Sequence, residues 1–91
     1  MAGLYFAPKL GDKFSQELAF SVKSDIEKKL NRRLGIFYVH SYCKQNLNNY
    51  KLKIRTDSGE FLHAVVYKPL SGKLRLTSVK RGMSLQDPII I

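Results

Sequence analysis

The chain contains no tryptophan, a single cysteine and few acids, with seven Asp and Glu against 16 Lys and Arg in 91 residues. One cysteine, Cys43, excludes an internal disulfide and a thiolate metal cage and fits a reducing compartment. No apolar run approaches the roughly 18 residues of a membrane-spanning helix. The start, Met1-Ala2-Gly3-Leu4-Tyr5-Phe6, also lacks the charged opening and apolar block of a secretion signal. A cytoplasmic or nuclear protein without a membrane span is expected. A phosphate-cradling glycine loop is missing, as are the S-x-x-K and G-x-S-x-G nucleophile patterns. The acids Asp12, Glu17, Asp25, Glu27, Asp57, Glu60 and Asp87 fall on a cap, a solvated helix face, one turn and the tail, so no pair is set for acid-base work. His40 and His63, with no thiolate or carboxylate beside them, make a poor metal site. Catalysis, a cofactor and a bound metal are therefore not expected, and binding to another macromolecule is.

The charge surplus is the first positive feature. A formal charge of +9 should draw anionic partners such as nucleic acid, acidic lipid or an acidic protein cleft, although it also serves solubility. Chains this short bury barely enough apolar surface for one core, so residues 1–91 are expected to form one domain, with 1–11 as an N-terminal arm. Leu4, Tyr5 and Phe6 are conspicuously apolar for an exposed arm.

From Asp12 or Ser15, either able to cap a helix, apolar residues recur at Phe14, Leu18, Ala19, Val22, Ile26, Leu30 and Leu34. That spacing predicts one helix with one buried stripe. Lys23, Asp25, Glu27, Lys28, Lys29, Arg32 and Arg33 form its solvated face, and Gly35 ends it in the left-handed conformation. The period then switches to two. Strand-like runs span Ile36 to Gln45, Tyr50 to Thr56, Phe61 to Lys68, and Lys73 to about Val79. Between them stand the turn residues Asn46-Leu47-Asn48-Asn49, Asp57-Ser58-Gly59 and Ser71-Gly72, with Gly59 suited to the bulge after a type I turn. The expected fold is α+β, one N-terminal helix on a four- to five-stranded antiparallel sheet.

Strict alternation assigns the two faces of that sheet. Leu52, Ile54, Leu62, Ala64, Val66, Leu74 and Leu76 point to the helix, with Cys43 inward beside Leu52 or Ile54 as a small buried hydrophobe. Lys51, Lys53, Arg55, Lys73 and Arg75 point away, joined by His40, Tyr42, Phe61, His63, Val65 and Tyr67. Aromatic rings among cations on a sheet can stack bases and neutralise phosphates, or meet an acidic protein. Tyr42, Lys51, Lys53, Arg55, His63, Lys73 and Arg75 are thus a candidate basic binding face.

The strand Ile36-Phe37-Tyr38-Val39-His40-Ser41-Tyr42-Cys43-Lys44-Gln45, followed by Tyr50-Lys51-Leu52-Lys53-Ile54 and Phe61-Leu62-His63-Ala64-Val65-Val66-Tyr67, resembles the stefins, the single-domain intracellular cystatins. Gly3 lies at about the distance before the helix where stefins keep an N-terminal glycine, and Leu74 to Ser78 resembles their last strand. The resemblance implies reversible inhibition of papain-like cysteine proteases by the arm and two hairpin loops. It points to Met1, Ala2 and Gly3 in the arm, to Gln45, Asn46, Leu47, Asn48 and Asn49 in the first loop, and to Pro69, Leu70, Ser71 and Gly72 in the second. Stefins carry Q-x-V-x-G in the first loop. Here Asn49 replaces its glycine, and the second loop inverts the stefin Leu-Pro order to Pro69-Leu70, both loops reading as shortened. A non-inhibitory basic cystatin-fold module, binding protein or nucleic acid through the outer face, is the competing expectation. Monomer and dimer both fit.

Overall fold

Residues 8–44, 48–57, 59–70 and 73–83 are described by a computed structural model, in which two helices pack on one face of a five-stranded antiparallel sheet. Asp12 starts the helical region. Its side chain accepts from the Ser15 N–H at 2.9 Å, and the Ser15 hydroxyl accepts from the Asp12 N–H at 2.9 Å, so two N–H groups without intrahelical partners are satisfied reciprocally. Helix α1 runs Lys13–Ser21 and α2 runs Lys23–Leu30. The spacing predicts one continuous helix, but the structure breaks it at Val22 (φ −114°, ψ 9°). Just before it, the Ser21 hydroxyl donates to the Glu17 carbonyl at 2.9 Å, a back-bond that bends helices.

The helical region ends at Asn31 and not at Gly35. Asn31 takes φ 57°, ψ 43° and donates its N–H back to the last turn, and it is the one non-glycine at positive φ among the described residues. Beyond it Leu34 is buried, with its N–H held by Glu27 Oε2 at 2.9 Å.

Strands β1 (Lys9–Leu10), β2 (Phe37–Lys44), β3 (Asn49–Thr56), β4 (Phe61–Tyr67) and β5 (Arg75–Met83) lie in chain order across the sheet. Part of the expected arm, Lys9–Leu10, is therefore a sheet edge, and the last strand starts and ends later than the sequence indicates. Gly59, at φ +78°, closes the β3–β4 turn as expected, with the Thr56 N–H donating to the Glu60 carbonyl at 2.9 Å.

Leu18, Ala19, Val22 and Ile26 bury the helical stripe against Leu52, Ile54, Leu62, Ala64 and Val66, all of the expected inward set, and against Val39, to which the alternation assigns no face. Leu74, Leu76 and Leu30 are packed on that cluster but only partly buried. Burying a side chain such as Ile26 or Leu52 contributes roughly 1.5–3 kcal/mol. The partly buried i,i+4 pair of Lys23 and Glu27, at 4.0 Å, contributes at most about 1 kcal/mol, so the apolar stripe holds the helices down. Phe14 departs from that stripe: it is 40% exposed and packs its ring on Tyr42 and Tyr50.

Strand β2 departs from strict alternation. Val39 pairs with Ile54 but Ser41 pairs with Lys53, leaving His40 as an extra residue. Two consecutive residues thereby share the outer face, and every later side chain changes sides. Tyr42 pairs with Leu52 in the core and is only 6% exposed, so its expected outer position is corrected. Cys43 pairs with Lys51 on the other face, where it is nonetheless buried.

Candidate functional site

An up-and-down order puts the β2–β3 and β4–β5 connections at the same end of the sheet. Lys44 pairs with Tyr50, Asn49 with Tyr67, and Tyr67 with Arg75. Because Lys9 pairs with Tyr42, antiparallel to β2, the chain enters β1 from that end too. Three segments distant in sequence thus converge on one rim.

The two connections are joined by more than proximity. The Lys68 N–H donates to the Asn48 carbonyl at 2.6 Å, so the start of the second connection hangs on the end of the first. Phe14 braces the rim from the helix side, its ring centroid 5.4 Å from Tyr50 in an edge-on arrangement and 6.2 Å from Tyr42. Lys44 Nζ lies 5.8 Å over the Tyr50 ring. Asp12 anchors the entry of the chain by accepting from the Tyr42 hydroxyl at 2.9 Å. The Ser15 N–H and that hydroxyl hold the Asp12 carboxyl below its ordinary range. Burial first, then the Asp12 hydrogen bond, push the Tyr42 phenol up to about 12.

Of the expected loop residues, Asn48, Asn49, Pro69 and Leu70 all belong to this rim. Met1, Ala2, Gly3, Gln45, Asn46, Leu47, Ser71 and Gly72 lie outside the described residues. Asn49 opens strand β3 and is not left-handed, so it does not imitate the conformational freedom of the glycine it replaces. Leu70 is fully exposed, at 103%. The second connection, residues 68–74, is longer than a tight turn at Ser71-Gly72, because Tyr67 pairs with Arg75. Lys73 accordingly sits in that connection and not on a strand, a second correction.

The candidate basic face is interrupted at its centre. Lys53 and His63, neighbours on β3 and β4, are 4% and 3% exposed, while Arg55 and Arg75 are open. Desolvation lowers the Lys51 ammonium, and Lys80 nearby adds to the effect. Burial raises the Cys43 thiol against the opposing pull of Lys51, which suits an inert side chain and not a nucleophile. His40 and His63 are not cross-strand neighbours, since β3 lies between their strands. No group of three or more His, Cys, Asp or Glu among the described residues is arranged to hold a metal.

Two ties of the helical region to the β2 edge, beyond β1 and away from the rim, escaped the sequence reading. Gly11 donates its N–H to the His40 carbonyl at 2.9 Å, and a Cβ there would collide with the Val39 carbonyl oxygen. Gln16 reaches from α1 to the edge of β2, donating to the Phe37 carbonyl at 2.9 Å and accepting from the Val39 N–H at 3.0 Å. Its amide continues the pairing that β1 begins. A glycine flanking an irregular stretch was the available signal for the first; nothing in the periodicity marks the second.

The opposite end of the sheet is tied by ion pairs. Arg32 reaches Asp57 at 3.8 Å and Glu60 at 3.6 Å, and Arg81 reaches Glu60 at 3.4 Å. Asp57 also accepts from the Gly35 N–H at 3.1 Å, fixing the segment after α2 to the β3–β4 turn.

No protein-family model matches the chain. It is 42% identical to Cystatin-A3 of Dictyostelium discoideum over 76 residues, covering 81% of this chain and 80% of the relative. It is 33% identical to Cystatin-B of Oplegnathus fasciatus over 94 residues, covering 98% and 94%. With Cystatin-A of Mus musculus it shares 35% identity over 78 residues, covering 81% and 80%.

Proposed function

The chain belongs to the stefin-type cystatins, and from that membership we propose that it is a reversible, tight-binding inhibitor of papain-like cysteine proteases and not itself an enzyme. The observation that carries the reading is the junction at the rim, where the Lys68 N–H meets the Asn48 carbonyl and makes the two connections one edge. A preorganised edge loses little conformational freedom on docking. Seated in an active-site cleft, it excludes water and substrate from the catalytic thiolate while offering no peptide bond in a cleavable position.

Leu70, fully exposed in the second connection, supplies an apolar anchor. Leu47 serves the same end in the first loop, and Met1 to Gly3 fill a pocket on the substrate side, with Gly3 allowing close backbone approach. Asn49 brings a side chain where the family motif has none. It is paired to Tyr67, so it stiffens the base of the loop and leaves the contact to residues 45–48.

Titration of papain or a lysosomal cathepsin tests the reading. Reversible inhibition is expected, weakened by removal of Met1 to Gly3 and by Leu47→Asp. Absence of inhibition at micromolar protein overturns it.

A further inference from the structure

Charge is neutralised very differently at the two ends of this molecule. All four ion pairs among the described residues lie on α2 or toward the β3–β4 turn: Lys23–Glu27, Arg32–Asp57, Arg32–Glu60 and Arg81–Glu60. At the rim, Lys9, Lys68 and Lys73 are exposed, and none forms an ion pair within 4.0 Å among the described residues. Among the described residues the rim has two acids nearby. Asp12 is engaged by the Ser15 N–H and the Tyr42 hydroxyl. Glu17 lines the same shallow cleft as Lys68 and Leu74 without pairing to a cation there.

These cations stand around the surface that would enter a protease. Lys68 and Lys73 belong to the connection that exposes Leu70, and Lys9 opens β1, paired with Tyr42 near the base of the first connection. A leucine flanked by two unneutralised ammonium groups suits an apolar pocket with carboxylates on its walls. The same arrangement is unfavourable against a basic or wholly apolar cleft, where the ammonium groups would lose water and gain nothing.

We infer that Lys9, Lys68 and Lys73 fit the rim to papain-like proteases whose cleft walls are acidic, and that these lysines set the association rate. The inference rests on the inhibitory reading above and adds the chemistry of the partner. Exposed rim charges act mainly by steering the encounter, so the on-rate and its salt dependence carry the effect and the dissociation rate changes little.

Stopped-flow association with two papain-like proteases, one with an acidic and one with a neutral or basic cleft rim, tests this over a range of ionic strength. The unaltered chain should associate faster with the acidic-cleft enzyme, by about tenfold at low salt, and lose most of that advantage when the Debye length falls below about 5 Å. The variant Lys9→Gln/Lys68→Gln/Lys73→Gln should bind the acidic-cleft enzyme about tenfold more slowly at low salt, with little salt dependence left. A control with the same loss of charge on α2 and the segment after it, Lys28→Gln/Lys29→Gln/Arg33→Gln, should stay within about threefold of the unaltered chain. If both proteases are inhibited but the rim variant matches the unaltered chain, or the control slows equally, the inference fails while the inhibitory reading stands. If the unaltered chain inhibits neither enzyme, both fall.

Discussion

The phenol of Tyr42 donates to Asp12 Oδ2 at 2.9 Å, joining the core-facing side of β2 to the cap of α1. Burial and this bond raise the phenol to about 12, so the folded chain keeps a proton that the unfolded chain gives up near 10. Its contribution is therefore complete below about pH 10 and lost as pH rises toward about 12. Denaturant midpoints should fall across that window, and Tyr42→Phe, with no phenol to ionise, should flatten the fall. Asp12 titrates in the opposite sense. Its carboxyl is held below the ordinary value, so its contribution is present above the usual carboxylate range and fades as pH drops through and below it. Asp12→Asn should reduce the acid sensitivity.

Gly11 stands where β1 leads into the helical region, and the Val39 carbonyl oxygen occupies the space that a methyl group on its Cα would need. The obstructing atom is backbone, so relief requires β1 or β2 to shift. Gly11→Ala is expected to cost about 2 kcal/mol or more, in the range of overpacking changes. Its lower midpoint in urea should come with an unchanged slope.

Much of this architecture is legible in the residues themselves. Leu18, Val22 and Ile26 on one side and Leu52, Ile54, Leu62 and Val66 on the other carry the two hydrophobic periods, and these side chains form the core. Periodicity shows where apolar area goes and is blind to what backbone groups do. Asn31 and Gly35 both tolerate left-handed geometry, and the earlier one ends the helical region because its N–H can still reach the last turn. The helix breaks at Val22, just after the Ser21 hydroxyl bonds the Glu17 carbonyl, and the break leaves the apolar stripe intact.

The candidate site was legible in outline and not in register. Inserting His40 into β2 moves Tyr42 to the core and Cys43 to the other face, although nothing in the residue types of that aromatic and β-branched run marks a bulge. Lys73 illustrates the same limit. Ser71-Gly72 has the composition of a tight turn, but pairing of Tyr67 with Arg75 extends the connection and carries Lys73 from the sheet face to the rim.

Leu70 separates binding from stability. Being fully exposed, it contributes nothing to the core, so Leu70→Asp should leave the unfolding midpoint within about 0.5 kcal/mol of the parent. Placing a charge at an apolar anchor is expected to weaken protease binding by about 10- to 100-fold, or about 1.4–2.8 kcal/mol, mostly through faster dissociation. Inhibition constants and thermal melts on the same sample check both halves. Equal loss in both would mean that Leu70 supports the fold and does not anchor the complex.

Gln16 guards the open part of the β2 edge, where β1 is too short to pair. Its amide satisfies the Phe37 carbonyl and the Val39 N–H, while Leu10, Tyr38 and Ile36 stand exposed along the same margin. Gln16→Ala removes a donor and an acceptor at once. It should cost about 1–3 kcal/mol, because both backbone groups are left to whatever water can reach them. The larger consequence is kinetic. An unpaired strand edge beside exposed apolar side chains is a template for a second chain. The variant should therefore show concentration-dependent association in sedimentation, whereas the parent under the same conditions should not. Gln16→Glu keeps the acceptor for the Val39 N–H but sets a carboxylate against the Phe37 carbonyl, so it should be destabilised near neutral pH and recover on acidification, when the protonated acid can donate again. A Gln16→Ala variant as stable and as monomeric as the parent would show that β1 and Gly11 alone suffice to close this edge.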